Sequence, residues 1–74
     1  MNKEDIIEVL GAVRYPETGR TLEEEGMIGE IETNGNEINV TLLFPKATDP
    51  FLSAVRRDAK DALEAQFGDV SVNI

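Results

Sequence analysis

Apolar residues at the start of the chain recur with the spacing of a helix. Ile6, Leu10 and Val13 fall at i, i+4 and i+7 with Ile7 beside them, while Lys3, Glu4, Asp5 and Glu8 are polar, which predicts a helix over residues 3–14. Asn2 stands where it can cap that helix. Asp5 takes the third helical position and, with Glu4, puts negative charge at the positive end of the helix dipole. Pro16 excludes the helical conformation for Tyr15, so the segment ends ahead of a turn, Tyr15-Pro16-Glu17-Thr18-Gly19.

The period then changes to two. Met27 and Ile31 share one face of a strand over residues 26–33, and Ile38, Val40, Leu42 and Phe44 share one face of a second over 37–44. Asn34-Gly35 between them is a strong hairpin signal. A two-residue loop at that dipeptide sets Ile31 opposite Ile38 and Met27 opposite Leu42, so turn chemistry and apolar pattern agree. The same register sets Glu32 opposite Glu37, a like-charge pair, and keeps a four-residue loop open as the alternative.

Helical spacing returns after Asp49-Pro50, with Asp49 reading as the cap and Pro50 as the first helical residue, where its missing N–H costs nothing. Leu52, Val55, Ala59, Ala62, Leu63 and Phe67 form the apolar stripe. Arg56, Arg57, Asp58, Lys60, Asp61 and Glu64 form the wet face, with Arg57 and Asp61 spaced for an i, i+4 ion pair. Gly68 stops this helix, and Val70, Val72 and Ile74 alternate with Ser71 and Asn73 as a last strand. The order is α-β-β-α-β, an α+β two-layer domain. Both long strands are apolar on one side only, so a three-stranded mixed sheet carries two helices on one face. A right-handed second crossover sets the last strand parallel to the second.

A chain of 74 residues fits one small domain that buries roughly 60% of its unfolded surface. With no cysteine, apolar packing must hold it together, and a hydrophobic content of 41% allows that. Fifteen acidic residues against seven basic ones give a net charge of -8, which repels phosphate backbones and anionic lipid surfaces. Nucleic acid and membrane are therefore not expected as partners. The plain reading of the charge is a solvated acidic surface, and the sharper one is an acidic face for a basic partner. No apolar run approaches a membrane span and the first residues are acidic, so the expected location is the cytoplasm.

Catalytic chemistry is sparse. The chain has no histidine and no cysteine, which removes the usual proton shuttle, thiolate nucleophile and transition-metal ligands. No G-x-x-x-x-G-K-[ST] loop occurs, and neither catalytic nor metal-ligating residues are expected. Glu23-Glu24-Glu25 reads as a solvated patch, because three successive carboxylates cannot all face one point. Arg20 beside Glu17 reads as a surface ion pair, and Ser53 lacks a base partner. Asn39-Val40-Thr41 matches a glycosylation sequon by chance inside a predicted strand.

Four short motifs follow one another at telling places: Tyr15-Pro16-Glu17 after the first helix, Gly26-Met27-Ile28 at a strand start, Val40-Thr41-Leu42 within a strand, and Asp49-Pro50 before the second helix. Their order and spacing over nearly the whole chain resemble the small iron-sulfur assembly domain found alone in some proteins and fused in front of Mrp-type P-loop ATPases. That family has a D-P-E turn, a glycine-hydrophobic strand start, a V-T-L strand and a C-P pair at those places. The resemblance implies a non-catalytic accessory domain acting by protein interaction. Its binding positions would be Tyr15, Pro16, Glu17, Thr41, Asp49 and Pro50. Its partners would be its own ATPase domain and iron-sulfur donor and acceptor proteins. The cluster and ATP are implied only for a full-length parent, with the chain continuing past Ile74 into a P-loop domain. A stand-alone acidic adaptor of the same fold, with no iron-sulfur role, is the alternative.

Two positions depart from the family pattern. Tyr15 stands for the aspartate before the first proline, and Asp49 stands for the cysteine. A thiolate at a helix N-terminus is an apt soft ligand for iron, since the helix end lowers its pKa and stabilises an anionic cluster. Asp49 keeps the negative charge but offers a hard oxygen, so it reads as a helix cap.

Overall fold

The structure, a computed structural model, describes residues 2–44, 46 and 48–74. Its elements are α1 Lys3–Gly11, β1 Ile28–Asn34, β2 Glu37–Leu42, α2 Leu52–Phe67 and β3 Ser71–Asn73. This is the α+β order expected from the sequence, with a three-stranded mixed sheet.

Helix α1 starts as its sequence dictates. Asn2 Oδ1 accepts the Asp5 N–H at 2.9 Å and Asp5 Oδ2 accepts the Asn2 N–H at 3.4 Å, a reciprocal capping box. The helix stops at Gly11, earlier than the apolar spacing through Val13 predicts. A local hairpin is the cause: the Val13 carbonyl accepts the Leu22 N–H and the Tyr15 N–H donates to the Arg20 carbonyl, each at 2.8 Å. These bonds hold an isolated bridge between Arg14 and Thr21 and draw residues 13–15 out of helical conformation. The turn after Tyr15 forms as expected, closed by the Gly19 N–H on the Tyr15 carbonyl at 2.7 Å.

The β1–β2 hairpin turns on Gly35-Asn36 instead of Asn34-Gly35, with Asn34 paired to Glu37. Gly35 has φ 61°, and no described non-glycine residue has a positive φ, so the loop has the φ signs of a type II′ turn, with glycine first. The register moves with it: Ile31 faces Val40 rather than Ile38, and Glu32 faces Asn39 rather than Glu37. The like-charge pair is thereby avoided. A bulge between Ile28 and Ile31 brings Ile28 opposite Leu42, leaving Met27 and Phe44 outside the ladder. At Gly29 a Cβ would lie 2.8 Å from the Thr41 carbonyl oxygen, so the bulge requires glycine there.

Helix α2 begins at Leu52 with Phe51 at its cap, so Asp49 and Pro50 precede the helix instead of starting it. The first helical bond runs from the Val55 N–H to the Phe51 carbonyl at 2.9 Å. Asp49 still serves the free donors there from one turn upstream. Its Oδ1 accepts the Phe51 N–H at 2.8 Å and its carbonyl accepts the Leu52 N–H at 3.2 Å. Arg57 lies 3.9 Å from Asp58 rather than pairing with Asp61, a wide and exposed contact of little energetic weight. Gly68 ends the helix, its N–H on the Glu64 carbonyl at 2.9 Å. Strand β3 then pairs parallel to β2, with Ile38 opposite Val72, giving the sheet order β1-β2-β3.

The interior has two parts. Ile6 and Leu10 from α1, Ile31, Ile38 and Val40 from the sheet, and Ala59 and Leu63 from α2 form one buried cluster. Tyr15, Leu22, Met27 and Val55 form a second. Ile28 and Leu42 pack against both.

Candidate functional site

Tyr15 is 3% exposed, although it follows the helix in a turn. Its ring packs edge-to-face on Phe51, centroids 6.1 Å apart and planes 82° apart, which fixes it against the start of α2. The ring is thus held by the second cluster while the hydroxyl reaches two carboxylates. The hydroxyl donates to Asp49 Oδ2, and Glu17 Oε2 lies 2.9 Å away as a second acceptor.

One phenolic hydrogen serves two carboxylates, so Tyr15 acts as a shared donor to both turns. The bond to Asp49 is the main reason its pKa is raised well above the usual tyrosine value, followed by burial and the bond to Glu17. The raised pKa reflects the preference of this site for the protonated, donating phenol. Glu17, Pro16 and Pro50 are exposed around it and Asp49 is half-buried.

Five of the six positions that the sequence singles out are thus brought to one edge. Thr41 is not among them: it is exposed on the outer side of the sheet beside Glu30, Glu32 and Asn39, its carbonyl against Gly29. Arg20 lies 3.6 Å from Glu25 Oε1 rather than pairing with Glu17, whose carboxylate is turned to Tyr15.

The acidic run is exposed at Glu23 and Glu24, as a solvated patch is, and it is also locally ordered. Residues 21–25 make a single helical turn, with the Glu25 N–H on the Thr21 carbonyl at 3.0 Å. Glu24 Oε1 accepts the Thr21 N–H and hydroxyl, each at 3.0 Å, and the Glu24 N–H donates back to Thr21 Oγ1 at 3.1 Å. The bond from the Thr21 N–H is the leading cause that holds the Glu24 carboxyl below its usual pKa. Thr21-x-x-Glu24 is a capping-box signature, and it was readable in the sequence. This turn seats Leu22 in the interior with no exposure. Beside it, Tyr15, Gly26, Met27 and Phe44 line a shallow hollow of about 330 Å³. Leu43 stands at the same hollow, 52% exposed.

Comparison with known proteins bears on the domain as a whole. The sequence profile of the family described as iron-sulfur cluster assembly protein matches residues 3–74. The chain belongs to that family. This iron-sulfur assembly domain superposes on the crystal structure of a domain of unknown function from Bacillus anthracis with a TM-score of 0.85. The two are 21% identical, and the match covers 96% of this chain and 71% of that one. At such identity the likeness speaks for the fold alone. No curated protein matches.

Family membership supports a role in cluster assembly. The residues at the edge do not suit a cluster as ligands. Tyr15, Glu17 and Asp49 present hard oxygens, and the sequence has no cysteine or histidine to replace them. Among the described residues no group of three or more histidine, cysteine, aspartate or glutamate side chains is placed to hold a metal ion. No described helix is long and apolar enough to cross a membrane.

Proposed function

We propose that this domain serves iron-sulfur cluster assembly in the cytoplasm by binding other proteins, as the accessory domain of an Mrp-type P-loop ATPase, with the cluster held by its partners. The reading rests on one observation. Tyr15 ties the motif turn at Pro16-Glu17 to the motif turn at Asp49-Pro50, making a single edge from segments far apart in sequence. Leu43 supplies an exposed apolar contact at the neighbouring hollow. Exposed Glu17 and Leu43 on an edge whose geometry is fixed by the buried Tyr15 ring suit recognition of a protein surface rather than turnover of a small substrate. The ATPase domain and the cluster donors and acceptors are the partners this reading assigns. Cluster and ATP chemistry belong to them.

Calorimetric titration of this domain against an Mrp-type ATPase domain and against a cluster-donor scaffold tests the proposal. Binding to at least one is expected, weakened about tenfold by the exposed substitutions Glu17→Lys or Leu43→Ser, a loss within the range for truncated interface contacts. Absence of binding to both, or binding indifferent to both substitutions, would overturn it.

A further inference from the structure

Among the described residues the two outer strands of the sheet, β1 and β3, are built differently. Strand β1 carries the bulge between Ile28 and Ile31 together with Glu30 and Glu32, devices that keep other strands from pairing with an edge. Strand β3 has neither: residues 70–74 read Val-Ser-Val-Asn-Ile, without a charged side chain. The Ser71 N–H donates inward to the Asn36 carbonyl at 2.9 Å. In a parallel ladder the next residue's N–H and carbonyl then point the other way, so those of Val72 face the open edge.

Basic side chains gather over this edge on an otherwise acidic chain. Arg56, Arg57 and Lys60, three of its seven cations, line one groove of about 500 Å³ with Val72 and Ile74. Arg56 already reaches the edge, donating to the Ile74 carbonyl at 3.3 Å. Lys60 is exposed, and Arg57 is 72% exposed beside its wide contact with Asp58.

We propose that β3 is a docking edge for an extended acidic peptide of a partner protein. The peptide adds a strand against Val72, and its carboxylates meet Arg57 and Lys60. Main-chain bonds supply the fit, and the groove's charge, opposite to that of the domain as a whole, selects the sequence. A second copy of this chain is the poorer occupant, since two molecules of net charge -8 repel. The surface is separate from the Tyr15 edge, so either can be lost without the other.

The test is an amide-resolved NMR titration of the 74-residue chain with a short peptide alternating glutamate and threonine. The controls are the same peptide with glutamine for glutamate and the same peptide N-methylated along one edge. Expected are shifts centred on Val72, slowed exchange of the Val72 amide, and binding at least about tenfold tighter than for either control. The double variant Arg57→Gln/Lys60→Gln, both exposed and expected to fold normally, is expected to lose about tenfold in affinity. Equal binding of acidic and amide peptides, tolerance of N-methylation, or shifts centred elsewhere would each overturn the proposal. Concentration-dependent dimerisation through Val72 in sedimentation velocity would overturn it in favour of self-pairing.

Discussion

The Tyr15 hydroxyl donates to the Asp49 carboxylate across 34 positions of sequence, joining the turn after the first helix to the turn before the second. The same Asp49 side chain accepts the Phe51 N–H through its other oxygen, so one residue both ends a helix approach and receives the tyrosine.

Asp49 therefore does part of the work of a helix cap from outside the cap position. Replacement by alanine is expected to cost about 1 kcal/mol in urea unfolding, the usual loss of a capping acceptor. Asparagine keeps one oxygen for the Phe51 N–H but loses the second, which accepts the Tyr15 hydroxyl, so it should recover only part of the loss. Should asparagine prove as damaging as alanine, the charge would matter more than the acceptor.

The pH dependence follows from Tyr15. Its folded-state pKa lies above the unfolded value of 10.0 because the protonated phenol donates to Asp49. The stabilisation is complete below pH 10.0 and is lost as pH rises through the higher folded value. Tyr15 is the one tyrosine and there is no tryptophan, so ultraviolet difference absorbance reads this group alone. Tyrosinate should appear only well above pH 10.0, together with unfolding, and Asp49→Ala should bring it back toward 10.0. A native-state titration at the ordinary value would show the bond absent in solution.

Leu22 carries no exposure and holds the second cluster from a turn rather than from a regular element. Leu22→Ala is expected to destabilise by roughly 2–5 kcal/mol, a large fraction of what so small a domain possesses. Leu43→Ala, at an exposed position, should stay within about 0.5 kcal/mol. Thermal melts of the two variants compare them directly, and equal losses would contradict the packing.

Anaerobic reconstitution with iron and sulfide should leave this domain without visible absorption or stoichiometric iron after desalting, because it has neither cysteine nor histidine to ligate a cluster. Retained iron and sulfide at one cluster per chain would show that the cargo is held here and not by partners.

Element order was legible because each element announces itself locally. Asn2 with Asp5, the alternation through Val40 and Gly68 after Phe67 are short-range signals that the packing does not override. Boundaries failed where distant residues decide. Val13 has helical spacing, yet its carbonyl is taken by Leu22, and that competition lies outside any periodicity. The hairpin slipped because glycine serves equally well in second or first place of a two-residue turn, and the first place removes the Glu32–Glu37 repulsion. At the candidate site the motif residues were visible, but their meeting was not. A tyrosine in a proline turn gives no sign that it will be buried beneath the next helix, whereas the Thr21-x-x-Glu24 turn was plainly written.

The pairing of Ile28 with Leu42 has a kinetic meaning. These residues are the seam between the two buried clusters, and the bulge beside them interrupts the ladder at that place. Packing interrupted in this way is expected to give cooperative units of unequal strength. The larger unit contains both helices and the three strands, while the smaller consists mostly of turns that precede and follow the Arg14–Thr21 bridge. Amide hydrogens of Tyr15, Leu22 and Met27 should therefore exchange through a partial opening that leaves Ile38 and Leu63 protected. The end that carries the motif turns would then be able to reshape itself against a partner at a fraction of the cost of global unfolding.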